Sequence, residues 1–194
     1  MVAVNSTMLP LGTPAPSFLL PATSGEQVSL EAFDGARAYV VMFICNHCPY
    51  VKMLRREISQ LAREYQDRGV VLVAINSNDT TNYPDDNMEN MVREVAEQGY
   101  CFPYCLDETQ EVAKAYRASC TPDFYLFNAE RLLAYRGQFD DARPGNDVTV
   151  TGSDLRTALD AVLDGEEIPN DVQKPSIGCN IKWKPGNEPA YFRK

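Results

Sequence analysis

The stretch FICNHCPYVK, residues 43–52, decides how the rest of the chain is interpreted. Two residues separate Cys45 from Cys48, and His47, the only histidine of the chain, lies between them. Pro49 follows directly. Two cysteines at this spacing are typical either of a redox pair or of half of a metal site. The elements on both sides of the motif help to decide between these two chemistries.

The motif stands where a strand is predicted to pass into a helix. AYVVMFIC, residues 38–45, is a continuous apolar run of the kind that forms a buried strand. Downstream, apolar side chains recur on one face of a helix, at Leu54, Ile58, Leu61, Ala62 and Tyr65. The start of a helix favours negative charge, because its first N–H groups are unpaired. We therefore expect Cys45 at the helix cap with a lowered pKa, and Cys48 one turn further in.

This arrangement favours dithiol–disulfide exchange. The thiolate of Cys45 would attack a disulfide, and Cys48 would resolve the mixed disulfide that results. An imidazole at His47 would stabilise the thiolate beside it and so make the pair a stronger oxidant. About 30 mV of potential corresponds to about 1.4 kcal/mol, so the residues between the cysteines can shift the redox balance substantially.

Strands and helices alternate along the chain, and the last two strands are predicted to form an antiparallel hairpin. The predicted strands are 69–78, 102–107, 123–128 and 131–139, the predicted helices are 87–98, 109–117 and 152–165, and a first hairpin covers 18–33. This order predicts an α/β domain with a mixed central sheet flanked by helices. Ser153 is the predicted N-cap of the last helix. Residues 1–17 are expected to be an irregular lead-in.

Composition and charge exclude several classes of partner. The formal net charge of −9 argues against nucleic acid and against an anionic membrane surface, since both require a basic footprint. The sequence contains no apolar run of the ~18 residues that a membrane span requires. The N-terminal residues lack the basic and apolar regions of a signal peptide. We expect a cytoplasmic protein, a setting in which paired thiols tend to be catalytic or metal-bound.

Two long stretches give the chain a family resemblance. GTPAPSFLLPATSGEQVSLEAFDGARAYVVMFIC, residues 12–45, and FPYCLDETQEVAKAYRASCTPDFYLFN, residues 102–128, resemble the thioredoxin-like superfamily. Within it they are similar to the group that joins the AhpC/TSA proteins (peroxiredoxins) with the TlpA/ResA-type thiol-disulfide oxidoreductases. The resemblance covers about residues 10–163. It implies a thioredoxin-like (redoxin) domain over residues 1–165, with 166–194 as a C-terminal tail packed on or near it.

The resemblance also implies an activity and a substrate groove. Thr121-Pro122 would carry a cis peptide bond beside Cys45 and Cys48 and expose the backbone of residue 121 to an extended substrate strand. The implied function is a thiol–disulfide oxidoreductase that needs no organic cofactor. Its partners would be a dithiol or disulfide protein, with electrons supplied by a thioredoxin or glutathione system.

A peroxidase that uses Cys45 is the alternative within the same family. Typical peroxiredoxins carry a Pro-x-x-x-Thr/Ser-x-x-Cys motif around the cysteine that reacts with peroxide. In this chain Met42 stands three residues before Cys45, and Ala38 stands seven before it. Both the proline and the hydroxyl of that motif are missing, which favours dithiol–disulfide exchange.

The remaining four cysteines are open to more than one interpretation. Cys101 and Cys105 are expected to be buried, inert thiols. Cys120, directly before Thr121, is either an additional redox partner or a packed thiol. Cys179 lies in the tail with Trp183, and we expect that tail to dock on the domain. Cys179 could meet Cys120 or the CxxC pair.

Metal binding is a second alternative, from a different functional class. Cys45, Cys48, Cys101 and Cys105 offer four thiolates for a tetrahedral zinc site. A copper site could instead use Cys45, Cys48 and His47. Ligands so close together at a helix start point in divergent directions, which weakens both versions.

Overall fold

A five-stranded mixed sheet forms the centre of the computed structural model, which describes residues 3–192. The strands are β1 (Ala3–Asn5), β2 (Leu20–Pro21), β3 (Gln27–Val28), β4 (Ala38–Phe43), β5 (Val70–Asn76), β6 (Tyr104–Leu106), β7 (Cys120–Thr121), β8 (Asp123–Asn128), β9 (Leu133–Gly137) and β10 (Ile177–Asn180). The α-helices are α1 (Pro49–Gln66), α2 (Met88–Gln98), α3 (Glu111–Ala115) and α4 (Ser153–Asp164). Short 3-10 helices cover Leu30–Phe33, Pro84–Asp86 and Asn170–Val172.

The strand order of the central sheet is β6-β5-β4-β8-β9. β4 and β5 run parallel, as do β5 and β6, whereas β4–β8 and β8–β9 are antiparallel. Every residue of β4 is buried, as expected for an apolar run at the centre of a sheet covered on both faces. The prediction of an α/β fold with a mixed sheet is confirmed.

Two hydrophobic cores cover the two faces of this sheet. Because side chains alternate along a strand, Val40 and Met42 of β4 enter one core and Tyr39, Val41 and Phe43 enter the other. The first core contains the apolar faces of α1 and α4 together with Cys45 and Cys48. The second is formed by the β2–β3 hairpin, α3 and residues of the tail. The CxxC motif therefore belongs to the α1 side of the sheet.

A second, three-stranded sheet joins both ends of the described chain to the region before β8. Its order is β1-β10-β7, and both pairings are antiparallel. β1 lies in the segment that was expected to be irregular, and that expectation is wrong for Ala3–Asn5. A strand of three residues gives little local signal, and its partner β10 lies more than 170 residues away in the chain.

The start of α4 differs from the prediction. Gly152 is the N-cap residue, with a left-handed φ of 68°, and Ser153 is the first helical residue. The prediction of Ser153 as the cap is wrong. The buried carboxylate of Asp140 accepts hydrogen bonds from the backbone N–H groups of Thr151 and Gly152, at 2.7 Å each. That tertiary contact moves the cap back by one residue.

No helix within residues 3–192 is long and apolar enough to cross a membrane.

Candidate active site

The CxxC motif occupies the connection between β4 and α1. Cys48 is the N-cap residue of α1, with extended backbone angles, and Pro49 is the first helical residue. Proline is favoured at this position, where it loses no hydrogen bond and its φ already suits the helix. Cys45 lies before the cap, so the prediction that Cys45 would be the cap residue is wrong. Both cysteines are buried, with 1% and 0% of their surface exposed.

The surroundings of the pair shift the pKa values of its two thiols in opposite directions. Hydrogen bonds from the thiols of Cys179 and Cys45, and from the backbone N–H of Val51, hold the pKa of Cys48 well below its usual value. Burial raises the pKa of Cys45, and its hydrogen bond to Cys48 and the charge of Asp86 act in the same direction. The predicted lowering of the Cys45 pKa is therefore wrong, because Cys45 is buried and lies before the cap rather than at it.

The Thr121-Pro122 peptide bond is cis, as the family resemblance implied. Thr121 contacts both sulfurs of the pair. Its Oγ1 lies 3.4 Å from Sγ of Cys45, and its carbonyl oxygen accepts a hydrogen bond of 3.1 Å from Sγ of Cys48. A hydroxyl thus reaches Cys45 from β7, although position 42, on β4, carries methionine.

A carboxylate that the sequence analysis did not single out holds the turn between the two cysteines. Asp86 is fully buried. Its Oδ1 accepts from the backbone N–H of Asn46 at 2.8 Å and from that of His47 at 3.4 Å. Its Oδ2 accepts from Nδ2 of Asn78 at 2.7 Å. The topology offered a signal: β4 and β5 are parallel neighbours, so the acidic loop that follows β5 emerges beside the CxxC turn.

His47 is fixed by the same carboxylate. Its Nδ1 lies 2.6 Å from Oδ2 of Asp86, and its ring stacks on that of Tyr83 with 5.6 Å between centroids. Since a carboxylate oxygen accepts hydrogen bonds, Nδ1 carries a proton in this arrangement. A ring nitrogen of His47 is within 4.8 Å of Sγ of Cys45. The imidazole is therefore held in one orientation beside the first cysteine.

Two further side chains immobilise Asn46. A guanidinium nitrogen of Arg55, on α1, donates to the carbonyl oxygen of Asn46 at 2.8 Å, and Arg55 also pairs with Glu94 of α2 at 2.6 Å. The hydroxyl of Tyr104, on β6, donates to Oδ1 of Asn46 at 3.1 Å. The turn is thus held by groups from several elements, which fixes the positions of both sulfurs.

The structure separates the other four cysteines into different environments. Cys101 is exposed, so the expectation that it is buried is wrong, whereas Cys105 is buried in the second core, across the sheet from the pair. The thiol of Cys120 donates to the carbonyl oxygen of Pro122 at 3.4 Å. Cys179 lies in the same core as Cys45 and Cys48 and hydrogen-bonds with Cys48. No disulfide joins any two of the six cysteines, all of which lie within residues 3–192.

These positions exclude the four-cysteine zinc site. Among the described residues, the one group of three or more side chains close enough to share a metal ion is Cys45, His47 and Asp86. The alternative in which Cys101 and Cys105 complete a zinc site with the pair is therefore wrong. Asp86 already accepts hydrogen bonds at both oxygens, so a metal ion would have to displace donors that hold the turn.

A second buried carboxylate lies directly after the cis-proline. Asp123 is fully buried, and its residue partner on β4 is Phe43, close to the CxxC motif. Its Oδ2 accepts from the hydroxyl of Tyr125 at 3.0 Å, and Oδ1 has no hydrogen-bond partner among the described residues. Burial raises the pKa of Asp123 to about 7. The apolar pattern of β8 gave no sign of a titrating group.

We expect Asp123 to make the stability of the protein depend on pH. The folded-state pKa of about 7 exceeds the ordinary value of about 3.9, so the folded state binds the proton more tightly. The stabilisation is complete below pH ~4 and is lost as pH rises through about 7. At about 1.4 kcal/mol per unit, the loss is at most about 4 kcal/mol. In Asp123→Asn the free energy of unfolding should depend less on pH than in the wild type, as measured by urea unfolding at pH 5 and pH 8.

Asp164→Asn, at an exposed position of α4, is the control and should unfold like the wild type at both pH values. If the free energy of unfolding changed equally between pH 5 and pH 8 in Asp123→Asn and in the wild type, the expected titration of Asp123 would be contradicted.

Comparison with known proteins places the chain in a family. Residues 11–136 match the AhpC/TSA family. The thiol-disulfide oxidoreductase ResA of Halalkalibacterium halodurans is 27% identical over 117 residues, which are 60% of this chain and 62% of ResA. The chain thus matches less than two thirds of the length of that relative.

Solved structures share the fold. An uncharacterized conserved protein from Geobacillus kaustophilus has 55% identity and a TM-score of 0.93, with 96% of this chain and 98% of that one covered. A thiol:disulfide interchange protein of the thioredoxin family from Chlorobium tepidum has 19% identity and a TM-score of 0.61, with 80% and 99% covered. The second likeness is one of fold alone. Since the family match spans more than half of the sequence, the chain belongs to the AhpC/TSA family.

Proposed function

We propose that the protein is a thiol–disulfide oxidoreductase in which Cys45 and Cys48 alternate between dithiol and disulfide. The observation that carries the proposal is the environment of the two sulfurs. They lie at a strand–helix junction, both contact Thr121 beside the cis-proline, and they hydrogen-bond with each other. Thiol–disulfide exchange requires a thiolate with a second thiol in reach, and this geometry supplies both.

The proposed cycle begins when Cys45 attacks a substrate disulfide and forms a mixed disulfide. Cys48 then attacks Sγ of Cys45, which releases the reduced substrate and leaves the Cys45–Cys48 disulfide. Hydrogen bonds that stabilise the Cys48 thiolate favour this second step. They also stabilise the reduced pair and so make the disulfide more oxidising. An external dithiol, of the thioredoxin or glutathione type, would return the pair to the reduced form.

His47, Asp86 and Thr121 would act by position rather than by covalent chemistry. Asp86 fixes the turn and orients the imidazole, while Thr121 offers its hydroxyl to the first sulfur. His47 also lines an open groove on the protein surface, together with Lys52 and Arg93. That groove is the side from which a partner could approach the turn.

A redox titration tests the proposal. The protein is equilibrated in graded glutathione buffers, its thiols are trapped with an alkylating reagent, and its tryptic peptides are identified by mass spectrometry. Cys45 and Cys48 share the tryptic peptide 38–52, whereas Cys101 and Cys105 share 94–114. In the Cys179→Ser variant, which lacks the third sulfur beside Cys48, we expect peptide 38–52 to change as a unit from doubly alkylated to internally disulfide-bonded at one potential. Peptide 94–114 should remain alkylated throughout.

Two outcomes would reject this function. If Cys45 and Cys48 never pair in Cys179→Ser, exchange by this motif is wrong. If peroxide instead converts Cys45 to a sulfenic acid at a rate that exceeds its reaction with disulfides, the peroxidase alternative replaces it.

A further inference from the structure

The tail strand β10 occupies the backbone edge that a substrate strand would need. β10 pairs with β7 in an antiparallel register that places Cys179 opposite Thr121 and Asn180 opposite Cys120. The approach is close, since a Cβ atom on Gly178 would overlap the carbonyl oxygen of Thr121. The edge beside the cis-proline is therefore covered by the chain's own tail.

The register brings Cys179, rather than Cys120, to the CxxC pair. Paired residues on neighbouring strands point to the same face of a sheet, and successive residues point to opposite faces. Thr121 faces Cys45, as the 3.4 Å contact between them shows. Its partner Cys179 therefore faces the pair as well, and it lies in the same core as Cys45 and Cys48. Cys120 points away and bonds to the carbonyl of Pro122.

Hydrogen bonds hold the tail in this register. The backbone N–H of Ile181 donates to the carbonyl of Ser119 at 3.0 Å, and that of Lys182 donates to Oδ1 of Asn78 at 2.8 Å. Asn78 in turn donates to Asp86, the anchor of the CxxC turn. The tail and the turn therefore share a polar network, which keeps the third sulfur in a defined place.

We propose that Cys179 is a third redox residue, which exchanges with the Cys45–Cys48 disulfide to form a Cys48–Cys179 disulfide. The inference rests on the proposed function and extends it. Sγ of Cys179 loses its proton and attacks Sγ of Cys48. The Cys45–Cys48 bond breaks and its electron pair leaves on Sγ of Cys45, which takes up a proton. One disulfide is exchanged for another, so the step needs no oxidant, and it restores Cys45 as a thiol.

The three sulfurs would then have different roles. Cys45 would face the substrate, Cys48 would resolve the mixed disulfide, and Cys179 would hold the oxidised state in the tail. The tail would thus act as an internal substrate for the pair. An external reductant would then have to reduce a disulfide that spans β10 and α1.

Disulfide mapping of the Cys45→Ser variant tests the proposal, because this variant lacks Cys45, which otherwise competes with Cys179 for Cys48. The reduced variant is oxidised with diamide, quenched in acid, alkylated and digested. Cys48 lies in tryptic peptide 38–52, Cys179 in 157–182 and Cys120 in 118–131. We expect the linked pair 38–52/157–182 to be the main oxidised product, at least tenfold above the pair 38–52/118–131. The Cys45→Ser/Cys105→Ser control should give the same product, and Cys45→Ser/Cys179→Ser should lose it.

A second measurement compares the wild type with Cys179→Ser, two proteins that both retain Cys45. After oxidation at neutral pH, Cys45 should be alkylated in the wild type but protected in Cys179→Ser, which retains only the Cys45–Cys48 disulfide. If Cys45–Cys48 forms but no Cys48–Cys179 linkage appears in Cys45→Ser, the third redox residue is rejected and the proposed function stands. If Cys45–Cys48 does not form in Cys179→Ser either, the proposed function itself fails.

Discussion

The Cys45→Ala variant should lose at least about a thousandfold of its turnover with a disulfide substrate, because the first covalent step has no nucleophile. The Cys48→Ala variant should also lose turnover, but for a different reason. Its Cys45 can still attack, and without a resolving thiol the mixed disulfide should accumulate. Reduction of a disulfide substrate, followed by intact mass analysis of each variant, measures both effects.

The variant that traps substrate as a mixed disulfide shows which of the two cysteines attacks first. Hydrogen bonds lower the pKa of Cys48 while burial raises that of Cys45, so the trapping experiment must show which of the two attacks first. A stable adduct on Cys45→Ala, with none on Cys48→Ala, would reverse the assigned roles. Cys105→Ala serves as the matched control, since Cys105 is equally buried but lies in the other core, and it should retain full turnover.

The Asp86→Ala variant should be destabilised by about 3–5 kcal/mol. The substitution leaves the buried N–H of Asn46 and the side-chain amide of Asn78 without their acceptor, and each unsatisfied buried donor costs about 1–3 kcal/mol. The turn that carries His47 also loses its anchor. Urea unfolding of the variant gives the stability change, and the redox titration described above shows whether the pair still forms.

Asp85→Ala is the matched control for Asp86, because the neighbouring side chain is exposed and only its backbone carbonyl contacts Asn46. It should unfold like the wild type. Asp86→Asn removes the charge of Asp86 but keeps a side chain of similar size. Because that charge raises the pKa of Cys45, the pKa of Cys45 should be lower in this variant than in the wild type. A stability loss as large in Asp85→Ala as in Asp86→Ala, or an unchanged Cys45 pKa in Asp86→Asn, would contradict these assignments.

Much of the central domain follows from local pattern. The apolar runs of β4 and β5 form buried strands because a sheet covered on both faces requires continuous apolar sequence. The β2–β3 hairpin and the β8–β9 hairpin were predicted from turn residues between short apolar segments. The helix predicted over 87–98 is observed as α2, which ends before Gly99, and Gly99 adopts the left-handed conformation that stops helices.

The details of the site depend on contacts between distant residues. Cys48 rather than Cys45 caps α1, because the turn before it is held by Arg55 of α1 itself and by Asp86 and Tyr104 from two other elements. Asp86 and Asp123 carry no motif, and each acquires its role from burial and from the groups around it. The CxxC motif itself contains Asn46 and His47, but the sequence did not predict which side chains form hydrogen bonds with them.

By itself, the sequence determined that Cys45 and Cys48 stand between a buried strand and an amphipathic helix, and that Thr121-Pro122 precedes a hairpin. Local periodicity and residue spacing carry that information. Only the tertiary structure decided that β10 pairs with β7 and brings Cys179 to Cys48. That pairing joins segments almost 60 residues apart, and its register depends on the close fit of Gly178 against Thr121, which no local pattern encodes.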